Sequence, residues 1–223
     1  MPNNKNKNDF SYIEEWLEKS IKVANEVSSL AKENNSLSIF TISTTAKVTN
    51  DIKPYLTPKR KIVHGFVAGA VVFTQSQAIL LSRHIDGIID QILIDAEKKL
   101  GVIVGEENAF YKHFNLDFQS KTSDSFDYIE MGNLSAACSK FISISQFHEY
   151  KPNDLTVEAV WYFLSNYYKI LSGKKITIIG SGNIGFKIAL KLVESGCSVE
   201  IVRNDITKGL LMADAIDIIK PKS

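Results

Sequence analysis

The sequence predicts an α/β protein: a small N-terminal α/β domain followed by a βαβ unit. Two stretches carry that reading. In Lys174–Asp205 a short apolar run (Ile176, Ile178, Ile179) leads into a glycine-rich turn. Apolar residues at helical spacing follow (Ile188, Ala189, Leu192, Val193), and then a second run over Ser198–Val202. Strand, turn, helix and strand in this order make a parallel βαβ unit, its first strand reading as buried on both faces. In Ile62–Asp95 an apolar run, a helical pattern through Ala78, Leu81 and Ile85, and a further apolar run repeat that order. Such alternation is the pattern of a parallel sheet.

The elements follow in chain order. Residues 1–8 are polar and lack the apolar residues needed for a packed structure. Ser11 followed by Glu14 predicts a capping box, and Ile13, Trp16, Leu17, Ile21, Ala24, Val27 and Leu30 then form one apolar face. Asn34 and Asn35 end that helix. Leu37–Ser43 reads as a strand. Thr44–Lys61 holds Pro54 and Pro58 and reads as loop or broken helix. Ile62–Phe73 reads as a strand entering a turn, with Gly65 and Gly69 allowing close packing against a helix or close approach of a ligand. Gln75–Asp86 reads as a helix closed by Gly87, and Ile88–Asp95 as a strand, with a continuous helix to Leu100 as the alternative that the apolar spacing also fits. Glu106–Ser125 has no clear period, and Phe126–Glu130 suggests a short strand. Asn133–Ile144 reads as a small helix capped by Asn133, and Thr156–Ile170 as a helix capped by Asp154 or Thr156. Ile206–Ile219 reads as a last helix, with Ala215–Ile219 as the start of a further strand being the alternative. The domain divisions expected are a tail at 1–8, an α/β domain at 9–155, a connecting helix at 156–173 and the βαβ unit at 174–223.

Composition excludes several classes. The chain has 223 residues and a formal net charge of +1, so it carries no broad attraction for nucleic acid or anionic membrane. The start MPNNKNKND is not a signal peptide, and the apolar stretch Gly65–Phe73 is too short to span a membrane. Cys138 and Cys197 have no metal-ligand or disulfide spacing, which fits buried thiols in a reducing cytoplasm.

Gly180, Ser181, Gly182, Asn183, Ile184 and Gly185 spell G-x-G-x-x-G between a strand and a helix. Each glycine has a physical role there. Gly180 permits the tight turn, Gly182 lets a pyrophosphate approach the backbone, and Gly185 lets the helix lie close to the strand. The helix N-terminus offers free N–H groups to the phosphates. This is the fingerprint of dinucleotide binding; a purely structural turn is the alternative. About 20 residues beyond such a turn an acid is expected for the ribose of NAD. Here Arg203 stands, followed by Asn204 and Asp205. An arginine fork suits a 2′-phosphate, which favours NADP over NAD.

Catalytic candidates are sparser. Asp95, Glu97, Lys98 and Lys99 would fall at a strand end, where open α/β sheets bind ligands, and Lys98 is placed to act as a general acid or to hold a carbonyl oxygen. The polar stretch from Ser145 to Thr156, read as a loop before a helix, contains His148 as a candidate proton carrier and Asp154. Solvated surface structure is the plain alternative for each.

The order of a small α/β domain, the helix DLTVEAVWYFLSNYYKILSGKKI and the motif IIGSGNIG resembles two-domain NAD(P)-dependent dehydrogenases: shikimate, methylene-tetrahydrofolate and amino-acid dehydrogenases. The resemblance is specific only over the glycine fingerprint and the helix before it, and architectural over the N-terminal part. It implies a Rossmann unit in which Gly180, Gly182, Gly185 and Arg203 touch cofactor, and Lys98 as catalytic lysine. It implies hydride transfer to or from a small polar substrate. The exposed edge of a two-strand unit favours pairing with another chain, so a homo-oligomer is expected. A full dinucleotide fold has two βαβαβ halves. The residues after Gly173 suffice for two strands, two helices and the start of a third strand, so a partial Rossmann unit is expected. A non-catalytic nucleotide-binding sensor or scaffold is the alternative.

Overall fold

The computed structural model describes residues 10–45, 53–97, 113–114 and 133–219. They form two compact units, residues 1–150 and 151–223, each with its own core.

In the first unit, helix α1 (Ser11–Glu33) buries Ile13, Trp16, Leu17, Ala24 and Val27. Its cap is Phe10, whose side chain makes no capping bond, so Ser11 is the first helical residue and not a cap. Asn35 takes the left-handed conformation that closes the helix. Strand β1 (Leu37–Ser43) lies at the centre of a five-stranded sheet.

The stretch expected to be loop or broken helix contains a strand, β2 (Tyr55–Ile62), antiparallel to β3 (Gly65–Val71). Pro58 is tolerated because β2 is an edge strand and its register slips between Thr57 and Arg60. Gly65 and Gly69 serve close packing, but against strand β1 and not a helix. A Cβ on Gly65 would stand 1.9 Å from the Leu37 carbonyl oxygen, and one on Gly69 would stand 2.1 Å from Thr41 Oγ1.

Helix α2 (Gln75–Ile85) is capped by Thr74 and followed by Gly87 at φ +81°. It leads to β4 (Gln91–Asp95), parallel to β1. Asn133 caps α3 (Leu134–Cys138) by accepting the Ala136 N–H, and a single 3₁₀ turn follows. The helix expected as far as Ile144 ends there because Asp86 claims the next backbone. Its carboxylate accepts the N–H groups of Ser143 (2.8 Å), Ile144 (3.0 Å) and Ser145 (2.7 Å). Strand β5 (Gln146–Tyr150) then pairs in parallel with β4.

The sheet order is β2-β3-β1-β4-β5, with only β2 antiparallel. Register partners share a face. Phe40, Ile42, Ala68, Ala70, Ile92 and Ile94 form one face and enter one core with the apolar residues of α1, α2 and α3. Ile39, Thr41, Ser43, Val67 and Leu93 line the opposite face; they are half-buried and stand outside that core.

The second unit begins with α4 (Pro152–Tyr168). Its cap is Lys151 with Pro152 at the first helical position, so neither Asp154 nor Thr156 caps it. Strand β6 (Lys175–Ile179), helix α5 (Asn183–Glu194), parallel strand β7 (Ser198–Val202) and helix α6 (Ile206–Ile219) complete it. Ile176, Ile178 and Val199 pack with Trp161 and Leu164 of α4, Ile188 and Leu192 of α5, and Leu171 from the connection between α4 and β6. Strand β6 is not buried on both faces. Helices cover one side, whereas Lys175, Thr177 and Ile179 on the other are exposed. Two ion pairs one helical turn apart, Asp154–Lys187 and Glu158–Lys191, each 2.5 Å, lock α4 alongside α5.

Candidate functional site

The glycine turn joins the end of β6 to the start of α5. Gly180 sits at φ +91°, a conformation that a side chain strains, and its N–H reaches the Val202 carbonyl at 2.8 Å, joining the ends of both strands. Gly182 is the cap of α5, exposed, and a Cβ built on it meets nothing within 4 Å. Gly185 lies in the first turn of α5, where a Cβ would approach the Gly180 carbonyl oxygen to 2.4 Å. The three glycines thus separate by role: strand exit, open backbone, close helix packing. Asn183 is exposed and Ile184 half-buried at the start of α5. The backbone N–H groups of this first turn have no intrahelical acceptor, and with the positive end of the helix they favour an anion above Gly182. Ser181 is buried, and its hydroxyl has no hydrogen-bond partner.

Arg203 follows the end of β7 and turns back to the glycine turn. Its guanidinium donates to the Ser181 carbonyl at 3.0 Å and touches Met212 Sδ at 3.3 Å. One arginine therefore holds the turn, the strand end and α6 together, and carries a positive charge beside the turn. Asn204 is exposed next to it, and Asp205 accepts the Lys208 N–H at the start of α6. A groove of about 400 Å³ runs between β7 and α6, lined by Val199, Ile201, Arg203, Leu210, Ile216 and Asp217. Only its Arg203 end borders the turn.

The catalytic candidates fall in different parts of the chain. Lys98 lies outside the described residues, as do Lys99 and the strand expected at Phe126–Glu130. Asp154 belongs to the ion pair with Lys187, whose hydrogen bond holds the carboxyl below its ordinary range. That fixes it as a charged clamp between two helices. His148 lies in β5 opposite Leu93, not in a loop, and its Nε2 is buried without a hydrogen-bond partner.

The carboxyl edge of the first unit's sheet holds Asp95, which the sequence places at a strand end, together with polar residues from two other strands. Tyr150 ends β5 beside Asp95 at the end of β4. Asp95 is fully buried, and its Oδ1 accepts the Glu97 N–H at 2.8 Å. Burial raises the Tyr150 phenol above its ordinary pKa, the nearby Ser43 and Thr41 hydroxyls act against it, and the Asp95 charge pushes the same way as burial. Parallel register places Thr41, Leu93 and His148 in one row and Ser43, Asp95 and Tyr150 towards the edge. Only that register, which sequence does not show, brings them together.

Cys138 is buried, and desolvation pushes its thiol up to about 12, so it is a packed, unreactive group. Among the described residues no group of three or more histidine, cysteine or acidic side chains is placed to hold a metal ion, and no helix is long and apolar enough to cross a membrane.

No family model matches the chain, and searches of curated proteins and of solved structures return no match.

Proposed function

We propose that the second unit binds the adenosine-pyrophosphate half of a nicotinamide dinucleotide, and that the chain is an NAD(P)-dependent oxidoreductase or a portion of one. The observation that carries this reading is the division of labour among the glycines, with open space above Gly182 at the start of α5. A structural turn needs a positive φ and close packing; it has no use for an exposed, unobstructed backbone at the helix cap. Arg203 supports NADP as the preferred cofactor, with NAD as the alternative, because it sets a guanidinium beside the turn at the end of β7. Its bond to the Ser181 carbonyl is weaker than an ion pair to phosphate, so a 2′-phosphate competes for it. The reaction class is hydride transfer to or from a small polar metabolite. Calorimetric titration of the full chain with NADPH, NADH and ADP-ribose tests the reading: saturable binding of all three, tightest for NADPH, is expected. Absence of binding to any of them refutes it.

A non-catalytic nucleotide sensor or scaffold is the second reading. The two-stranded sheet of the described second unit favours it, since the nicotinamide ring rests against the other half of a full dinucleotide fold. An assay of hydride transfer with hydroxy, keto and amino acids separates the two.

The proposed partners are a small-molecule substrate and a second copy of the chain. Among the described residues β7 pairs only with β6, and the groove beside its free edge carries Arg203 at one end and Asp217 at the other. Covering of that groove by a second copy removes the exposed Leu210 from water and pairs the open edge of β7.

A further inference from the structure

Helix α4 is apolar on two faces, and packing on α5 uses only one of them. Val157, Trp161 and Leu164 pack towards α5, and the ion pairs to Lys187 and Lys191 hold the helix there. Leu155, Ala159, Tyr162, Phe163 and Tyr167 recur three and four residues apart, which stacks them along the other side. That stripe is open to solvent. Leu155 is 57% exposed, Tyr162 73%, Phe163 67% and Tyr167 71%, and Ile170, just beyond the helix end, is 71% exposed. The rings of Phe163 and Tyr167 lie nearly parallel with centroids 6.2 Å apart, and Tyr168 meets Tyr167 edge-on at 4.8 Å. The aromatic surface is therefore already ordered, which lowers the entropy lost when it is covered.

Scattered exposed apolar residues are ordinary, but a contiguous stripe of them marks a contact surface. An aromatic side chain buries about 150–250 Å², so Tyr162, Phe163 and Tyr167 at their exposures present roughly 400 Å². Leu155 and Ile170 raise the patch to on the order of 600 Å². That is one partner's share of a small specific interface, which buries about 1,200 Å² in total.

We propose that this stripe is a contact surface for a second copy of the chain, with α4 packed antiparallel on α4 across a two-fold axis. Such an axis sets the patch against itself, and a stripe whose side chains are all uncharged meets its own copy without like-charge repulsion. Antiparallel packing also opposes the two helix dipoles. Aromatic rings at the centre, with the Tyr162 and Tyr167 hydroxyls able to reach the wet rim, have the composition of an interface core. Nucleic acid and anionic lipid call for cations on the contact surface, and the stripe has none. The surface is separate from the groove beside β7, since no residue lining that groove belongs to α4. It rests neither on that groove nor on nucleotide binding.

Sedimentation velocity of the full chain carrying Leu210→Glu tests it with the groove disabled. Self-association is expected to persist in this protein, and adding Phe163→Glu weakens it by roughly tenfold or more with an unchanged melting temperature. Tyr162→Lys stands in if the Phe163 variant is poorly folded by circular dichroism. A Leu210→Glu protein that is monomeric at every concentration overturns the proposal, as does association of equal strength in the folded stripe variants. A monomer that instead floats with phosphatidylserine vesicles gives the stripe to a lipid surface and also overturns it.

Discussion

Replacing Gly182 by valine separates the structural from the ligand-binding use of the glycine turn. The site tolerates a side chain as far as the fold is concerned. Gly182 has φ −78° and ψ −164°, which any residue adopts, and a Cβ there meets no atom within 4 Å. The cost to folding is the loss of a permissive cap residue, about 0.5–1 kcal/mol. The cost to binding is larger. The new side chain stands where pyrophosphate must approach the N–H groups of α5, and displacing it from two or three charge-assisted hydrogen bonds costs about 3 kcal/mol or more. That is roughly a hundredfold or greater loss of affinity. Gly185→Ala is the mirror experiment. Its Cβ would press on the Gly180 carbonyl oxygen at 2.4 Å, so the helix must move from the turn. Overpacking of this kind costs about 1–3 kcal/mol of stability. Thermal denaturation and calorimetric titration with NADPH on both variants give the comparison. Gly182→Val with near-normal melting and lost binding is the expected result; wild-type affinity in that variant refutes the reasoning, because the open backbone would then have no ligand.

Four further outcomes follow from the same structure. Wild type binds NADPH more tightly than NADH, and Arg203→Asp narrows or reverses the ratio; equal wild-type affinities by calorimetry contradict the role given to Arg203. Burial works against ionisation of Asp86, but the N–H groups of Ser145, Ser143 and Ile144 outweigh it and hold its pKa below the ordinary value. A depressed folded pKa gives stability that is complete above the unfolded pKa of about 3.9 and is lost as pH falls through the folded value. Asp86→Ala then costs roughly 1–3 kcal/mol at neutral pH and less in acid; a constant difference from pH 7 to pH 2 in urea denaturation is the contrary result. Iodoacetamide at pH 8 leaves Cys138 unmodified in the native protein by mass spectrometry, and rapid native labelling contradicts its burial. Sedimentation velocity shows concentration-dependent association that Leu210→Glu on α6, an exposed residue lining the groove, weakens; a monomer at all concentrations removes the groove as an interface.

Local chemistry made much of the fold legible. Helix α6 runs over Ile206–Ile219 and strands β1 and β7 over Leu37–Ser43 and Ser198–Val202, the spans that apolar runs and turn residues indicate. Gly87 and Gly196 close their helices with positive φ, as glycine after a helix does. Strand β2 was hidden because Pro54 and Pro58 normally break strands, and edge position with a bulge is a tertiary circumstance. Strand β5 was hidden because Gln-Phe-His-Glu-Tyr has neither β-branched residues nor clean alternation. The run Ile176, Ile178, Ile179 reads as doubly buried, yet whether a second helical layer exists is not written in five residues. Of the site, the glycine roles were visible because they follow from backbone geometry. The engagement of Arg203 with Ser181, the capture of Asp154 by Lys187 and the meeting of Tyr150 with Asp95 depend on distant parts of the chain.

The central claim is that the turn from Gly180 to Gly185 receives the pyrophosphate of a dinucleotide. Amide NMR spectra of the ¹⁵N-labelled chain during titration with NADP⁺ test it at the residues themselves. The account predicts the largest saturable shifts at the N–H groups of Gly182, Asn183, Ile184 and Gly185, with a second set at Arg203 and Asn204. Saturable shifts confined to other residues, or none at millimolar NADP⁺, would contradict it.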